Sequence, residues 1–398
     1  MTSSRVPDSA EFVPNRLAGL LATRRIEGRE ILDLTGTDPT RAGLGWPPPA
    51  LLASLGDGRA ARHEPDPRGA PAAREAVAAY LGLRSEPRGD SGFVPPERIF
   101  LTSSTSEAYA HLFRLLCEPG DEVLIPRPSY PLIEPIARLE CVRPVSYRLA
   151  YDGRWRLDVD SLEASVGPRT RAVVLVQPNN PTGSCLNARE IEQIEAIAAP
   201  RGIAVISDEV FGDFPWAAGA RTLPSLIGAT RVPTFTLGGV SKSCGLPQMK
   251  VGWIAATGPE ETLSPLLPGL EWILDLFLSV GGPVAGALPE FLASRREFQA
   301  GMRERLARNL ACLRDAAARA PDRIDLYSGE GGWTAIARIQ PEAESSRDGQ
   351  DLAEWALVRH DVYLHPAHFY DLERDDLAVL SLVPDPRLFE RALSRLIA

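Results

Sequence analysis

The sequence predicts an α/β protein: a large domain with a mostly parallel sheet covered by helices on both faces, plus a smaller α/β C-terminal domain. Three observations predict it. Short unbroken apolar runs such as "RAVVLV" (171–176) and "IAVIS" (203–207) read as strands buried on both faces. Segments with helical spacing alternate with these runs. The polar clusters "SSTS", "PNNPTG", "SDEVF" and "GGVSKS" fall where runs end, and such sheets bind ligands beyond the carboxyl ends of their strands.

The elements follow in order. "RIFL" (98–101) is a short strand, and "TSEAYAHLFRLL" (105–116) is a helix with Ser/Thr at its start. "DEVLIP" (121–126) is a strand, "IEPIARL" (133–139) helical and "CVRPVSYRL" (141–149) extended. "RAVVLVQP" (171–178) is a strand, "AREIEQIEAIAAPRG" (188–202) a helix stopped by glycine, and "IAVISDE" (203–209) a strand. "TFTLGG" (234–239) and "VGWIAA" (251–256) complete the large sheet. Beyond them, "FQAGMRERLARNLACLRDAAAR" (298–319) has apolar residues at helical spacing. "GEGGWTAIARI" (329–339), "VYLHP" (362–366) and "LAVLSLV" (377–383) read as strands, and "PRLFERALSRLI" (386–397) as a last helix. The expected division is 1–60, an N-terminal segment joining the small domain; 61–285, the large domain; and 286–398, the small one.

A chain of 398 residues, 44% hydrophobic, can bury a sizeable core. A net charge of −9 without a Lys/Arg block argues against nucleic acid or an anionic membrane as partner. "MTSSRVPDSAEF" lacks the apolar region of a secretory signal, and "LEWILDLFLSV" is too short and too acidic to span a bilayer. The five cysteines are odd in number with no C-x-x-C, so neither a disulfide framework nor a zinc site is indicated. The expected location is the cytoplasm.

The basic residues carry the first chemical signal. Of 43, only Lys242 and Lys250 are lysines, and both lie in "TLGGVSKSCGLPQMKVGWI" (236–254). Arginine stays protonated, whereas a lysine amine changes pKa with its surroundings and can form Schiff bases. An arginine-favouring coding bias is the plain alternative. A P-loop is excluded, because "GGVSKS" lacks the glycine directly before the lysine.

"NNPTG", then "SDEVF", then "SKSCGLPQMKVGW", in that order, resemble the fold-type I, pyridoxal-phosphate-dependent class I/II aminotransferases, over nearly the whole chain from "ILDLTGTDPT" onward. The resemblance implies roles residue by residue. Lys242 would bind pyridoxal 5′-phosphate as an aldimine and move the substrate proton. Asp208 would face the pyridine nitrogen and keep the ring an electron sink; the alternative is a helix cap, with Glu209 a solvated neighbour. Asn180 would donate to the cofactor's phenolic oxygen, or serve only the turn that Asn-Pro-Thr-Gly makes in any protein. Tyr130 would stack on the ring, or pack in a core. Ser104 and Thr105, at a helix start, and Ser241 would seat the phosphate, or the first two would be an ordinary N-cap. Lys250 stands where the family carries a phosphate-clamping arginine, and keeps the charge without the fork. His63 falls about where the partner subunit's tyrosine reaches the phosphate in family homodimers, and Gly36 and Thr37 match the segment that closes over substrate.

The chain departs from the pattern at three places. Gly239 replaces a phosphate-binding hydroxyl. Phe211 replaces a tyrosine that donates to the phenolic oxygen. Val379, in "VLSLV", replaces the arginine for the substrate carboxylate; His365, His368, Tyr370 and Arg374, in "HPAHFYDLER", are the candidate substitutes, and H-x-x-H there is too weak to indicate a metal. The resemblance thus implies an aminotransferase acting on a small-molecule amino donor and a keto acceptor. A lyase, decarboxylase or cyclase on the same fold is the alternative, and a non-enzymatic cofactor-binding relative a third.

Overall fold

A computed structural model describes residues 3–7, 15–56, 62–84, 93–228, 230–340 and 351–397. Its large sheet has eight strands: β2 (Ile99–Thr102), β3 (Glu122–Arg127), β4 (Arg143–Tyr151), β5 (Trp155–Leu157), β6 (Thr170–Val176), β7 (Ala204–Asp208), β8 (Thr234–Gly239) and β9 (Gly252–Thr257). The order is β2-β9-β8-β7-β6-β3-β4-β5, and only β5 and β9 run against the rest. The sheet is therefore mostly parallel.

Its central strands β7, β8 and β9 are buried along their length because both faces are covered, whereas β4 and β5 at one edge carry exposed residues. Alternate residues take opposite sides: Ala204 and Ile206 pack with the helices Thr105–Leu116 and Leu267–Asp275, while Val205 packs with the helix Ala188–Ala198. That parity decides where the polar strand ends point. Asp208 continues the side of Ala204 and Ile206, toward Thr105–Leu116. Ser207 and Glu209 turn the other way.

A second sheet joins β10 (Ile324–Leu326), β11 (Thr334–Ile339), β14 (Leu377–Ser381) and β13 (His365–Pro366) in that order, all antiparallel. Helices Gly282–Arg319, Leu352–His360 and Pro386–Ile397 share a core with Ala335, Ala337, Ala378 and Leu380 on one of its faces. Its other face carries Ile336 and Val379 into a separate apolar cluster with Trp155 and Tyr370. The N-terminal segment is stitched here: β1 (Leu32–Asp33) pairs with β12 (Val362–Tyr363), and Ser381 donates its N–H to Leu34 O at 2.7 Å.

The helix read from sequence over 298–319 is longer, because it begins at Gly282 and runs through Pro289. Two prolines and four glycines or alanines hide the helical pattern of "GPVAGALPEF". Pro283 costs nothing in the first turn, whereas Pro289 removes one hydrogen bond from the interior.

Candidate active site

The polar clusters do meet at the ends of the parallel strands. Asp208 closes β7 beside Leu237 of β8, and β8 leads through Gly239 into a short turn, Val240–Ser243, that carries Lys242. The Lys242 amine is half-buried and walled by aromatic rings: Nζ lies 4.8 Å from the centre of Trp333 and 5.6 Å from that of Phe211. Burial lowers its pKa to about 8, with the Asp38 carboxylate pulling the other way. An amine so placed is partly neutral near physiological pH, and nucleophilic.

Asp208 is buried, and burial raises its pKa to about 6; donation from Val210 N and Tyr109 Oη lowers it, and the neighbouring Glu209 charge raises it. Oδ1 accepts from Val210 N at 3.2 Å and Oδ2 from Tyr109 Oη at 3.1 Å. Asp208 is thus no helix cap. Glu209 is not the solvated neighbour that sequence allowed. It is 1% exposed and accepts from Ser207 Oγ (3.0 Å), Ser225 Oγ (2.6 Å) and Leu226 N (2.8 Å), so it anchors the following loop from the far side of the sheet.

The two asparagines of "NNPTG" make different internal hydrogen bonds. Asn179 does the turn chemistry: its Oδ1 accepts from Thr182 Oγ1 at 3.0 Å, and its main-chain oxygen from Gly183 N at 2.7 Å. Asn180 Oδ1 accepts from Thr334 Oγ1 at 3.2 Å, which leaves Nδ2 as its donor toward a ligand. Tyr130 is 41% exposed, a ring with an open face rather than a core residue, and its pKa is raised by burial and by the Asp208 charge.

Ser104 caps the helix Thr105–Leu116, accepting from Glu107 N at 3.2 Å, so the ordinary cap is real. The first-turn amides beyond it, beginning at Thr105, have no partner within the helix. One glycine brings a strand end against this start, and a second brings two strand ends together. A Cβ on Gly252 would lie 3.1 Å from the Ser104 carbonyl carbon, and one on Gly239 3.0 Å from Val251 O. A side chain at 239 would press on the Val251 carbonyl oxygen, which would have to give by a few tenths of an ångström. Exposed Lys250 stands two residues before Gly252, in a left-handed conformation at φ 54°. Ser241 is half-buried beside Lys242, while Ser243 turns away, donating to Gly239 O at 2.8 Å.

The N-terminal segment also arrives here. Trp46 Nε1 donates to Cys244 O at 2.7 Å, Gly36 O accepts from Ser381 Oγ at 2.6 Å, and Thr37 precedes the Asp38 whose charge reaches Lys242. Val379 is buried opposite His365 across β13 and β14, within the cluster holding Ile336 and Tyr370. Arg374 is paired with Asp376 at 2.5 Å, and exposed His368 lies 3.8 Å from Asp351, so of the four substitutes only His365 and Tyr370 share the Val379 face. His63 is exposed in a different place, a cavity of about 740 Å³ between residues 62–72 and 278–286 whose lining includes none of Lys242, Asp208, Asn180 and Tyr130. Its lining offers no buried amine or strand-end carboxylate. Sequence reasoning missed Tyr109, Trp333 and Thr334. The aromatic following "GEGG" and the threonine after it were the available signal for the last two.

The aminotransferase class I and II family model matches residues 30–377. The chain belongs to that family. It is 32% identical over 233 residues to nicotianamine aminotransferase 1 of Oryza sativa subsp. japonica, covering 58% of this chain and 46% of that protein. It is 32% identical over 227 residues to S-alkyl-thiohydroximate lyase SUR1 of Arabidopsis thaliana, covering 55% and 47%. These matches span about half the length of each relative. An aminotransferase from Escherichia coli superposes with a TM-score of 0.81 at 22% identity, over 99% of this chain and 96% of that one, and this likeness shows the fold-type I architecture.

Proposed function

We propose that this protein is a pyridoxal-phosphate-dependent aminotransferase that moves an amino group from a small-molecule amino donor to a keto acid or aldehyde. The observation that carries the reading is the half-buried amine of Lys242, one of two lysines in the chain, one strand away from the buried carboxylate of Asp208. The donor set suits the cofactor: an anion seat, an exposed aromatic ring, an amide donor, and a buried carboxylate with no cationic partner among the described residues. Ser104, Thr105, Ser241 and Lys250 would hold the phosphate, Tyr130 the ring face, Asn180 the phenolic oxygen and Asp208 the ring nitrogen. When bound, the cofactor supplies an electron sink for the carbanion formed on the substrate. Lys242 would hold the cofactor through its aldehyde, and its Nζ would hold and move the proton at the substrate's alpha carbon. Trp333 and Phe211 exclude water from that amine, and Gly36 and Thr37 close over the substrate. The domain division, a homodimer with His63 near the partner's site, and a cytoplasmic location belong to the same reading.

A second reading is a lyase, decarboxylase or cyclase. It draws on the lyase name of one relative and on Val379, which puts an apolar side chain where a guanidinium would grip a carboxylate. One experiment separates them: the absorbance spectrum of the protein with pyridoxal phosphate, followed on adding single amino donors without an acceptor. Conversion to the pyridoxamine form, reversed by a keto acid, supports transamination. Consumption of donor with the pyridoxal form retained supports the second reading. A protein that never binds pyridoxal phosphate overturns both.

A further inference from the structure

Both oxygens of the Asp208 carboxylate have a fixed donor, and one comes from a residue that no motif named. Tyr109 sits in the second turn of the helix Thr105–Leu116, about one and a half turns after the Ser104 cap. Its ring is 3% exposed and packs against Phe113 at 5.9 Å, in the apolar layer that holds Ile206 and Leu237. The hydroxyl meets Asp208 Oδ2, 3.1 Å away.

We propose that Tyr109 is a positioning residue: its hydroxyl fixes the orientation and the ionised state of Asp208 for a cationic ring nitrogen. This rests on the reading that pyridoxal phosphate binds here. Burial and the Asp208 charge hold the phenol well above its ordinary pKa, so it stays protonated and can only donate to the carboxylate. A donor to the charged form favours that form, and it opposes the burial that drives Asp208 toward protonation. The helix has a second consequence. Its N-terminus is the anion seat and its second turn holds the carboxylate, so one rigid element spaces the two groups that grip opposite sides of the cofactor ring.

The test is the affinity of cofactor-free protein for pyridoxal phosphate between pH 6 and pH 9, in wild type and Tyr109→Phe. A carbocyclic analogue, with C–H in place of the ring nitrogen, is measured alongside. Loss of the hydroxyl is expected to raise the pH at which affinity is half-developed by about one unit, a loss of roughly fivefold at pH 6 that closes above pH 8. The analogue should bind both proteins equally, and in an Asp208→Asn background the substitution should change nothing further. If Tyr109→Phe does not fold, Tyr109→Leu, which also lacks the hydroxyl, replaces it. An unchanged pH profile, or an equal loss for cofactor and analogue, overturns the role of Tyr109 and leaves the function standing. A wild type that binds neither molecule overturns both.

Discussion

Replacing Lys242 with methionine should stabilise the cofactor-free protein at pH 7. The side chains are similar in length, so packing against Trp333 and Phe211 is largely kept. The charge is the difference. Folding takes the ammonium from an ordinary pKa of 10.5 to about 8. A folded pKa lowered below the unfolded one means that the unfolded state binds more protons between those values. Stability then rises with pH across the window from about 8 to 10.5 and is lowest below it. The full shift corresponds to about 3 kcal/mol of penalty at pH 7. Lys242 is half-buried, so solvent screens part of it, and the ammonium recovers roughly 0.5–2 kcal/mol from the two ring faces. Lys242→Met should therefore gain about 1–2 kcal/mol at pH 7 in urea unfolding, and the gain should fade toward pH 10.5. The lysine count offers a direct check. Reductive methylation with labelled formaldehyde marks only Lys242, Lys250 and the α-amino group, so the Lys242 signal can be titrated alone. A methionine variant less stable than wild type at pH 7, or a Lys242 signal that titrates near 10, refutes the reasoning.

Three further outcomes follow from the same geometry. Phe211→Tyr adds a hydroxyl to a ring near Lys242 Nζ, and it should lower by about one unit the pH at which bound pyridoxal phosphate changes its absorbance; a titration that does not move refutes it. Glu209→Gln puts an amide donor among donors that all need an acceptor, and should cost about 2–4 kcal/mol in urea unfolding while the spectrum of bound cofactor stays the same. Gly238→Ala would place a Cβ 2.5 Å from Trp253 Nε1, and overpacking of this kind should cost about 1–3 kcal/mol, read from the unfolding midpoint.

The fold was legible because the sheet is covered twice, and such strands write themselves as continuous apolar runs. The helix from Gly282 was misread in its first turns because prolines mask a helix whose packing outweighs one lost hydrogen bond. At the site, residues that end strands were legible, since a polar group there has few structural uses. Residues that act through a neighbour were not. Tyr109 looks like an ordinary apolar position of an amphipathic helix, and only strand parity, which turns Asp208 toward that helix, gives its hydroxyl a partner. Glu209 was misjudged for the same reason, because the opposite parity sends it under the loop at Ser225.

The proposed anion seat shows why the second lysine would matter. A phosphate there would meet the first amides of the helix Thr105–Leu116 but no hydroxyl from 239, since that residue is glycine. Nor is the seat free of negative charge: the Glu107 carboxylate already accepts from Ser103 N at 2.6 Å and from Ser279 Oγ at 2.5 Å. Helix-start amides alone offer about half a positive charge. A dianion placed there needs a full cation nearby, and in the proposed site the one ahead of Gly252 is Lys250. Its exposure would fit that task, because an ammonium awaiting an anion is better left hydrated than buried, whereas the proposed role of Lys242, among aromatic rings, would need its amine to lose a proton.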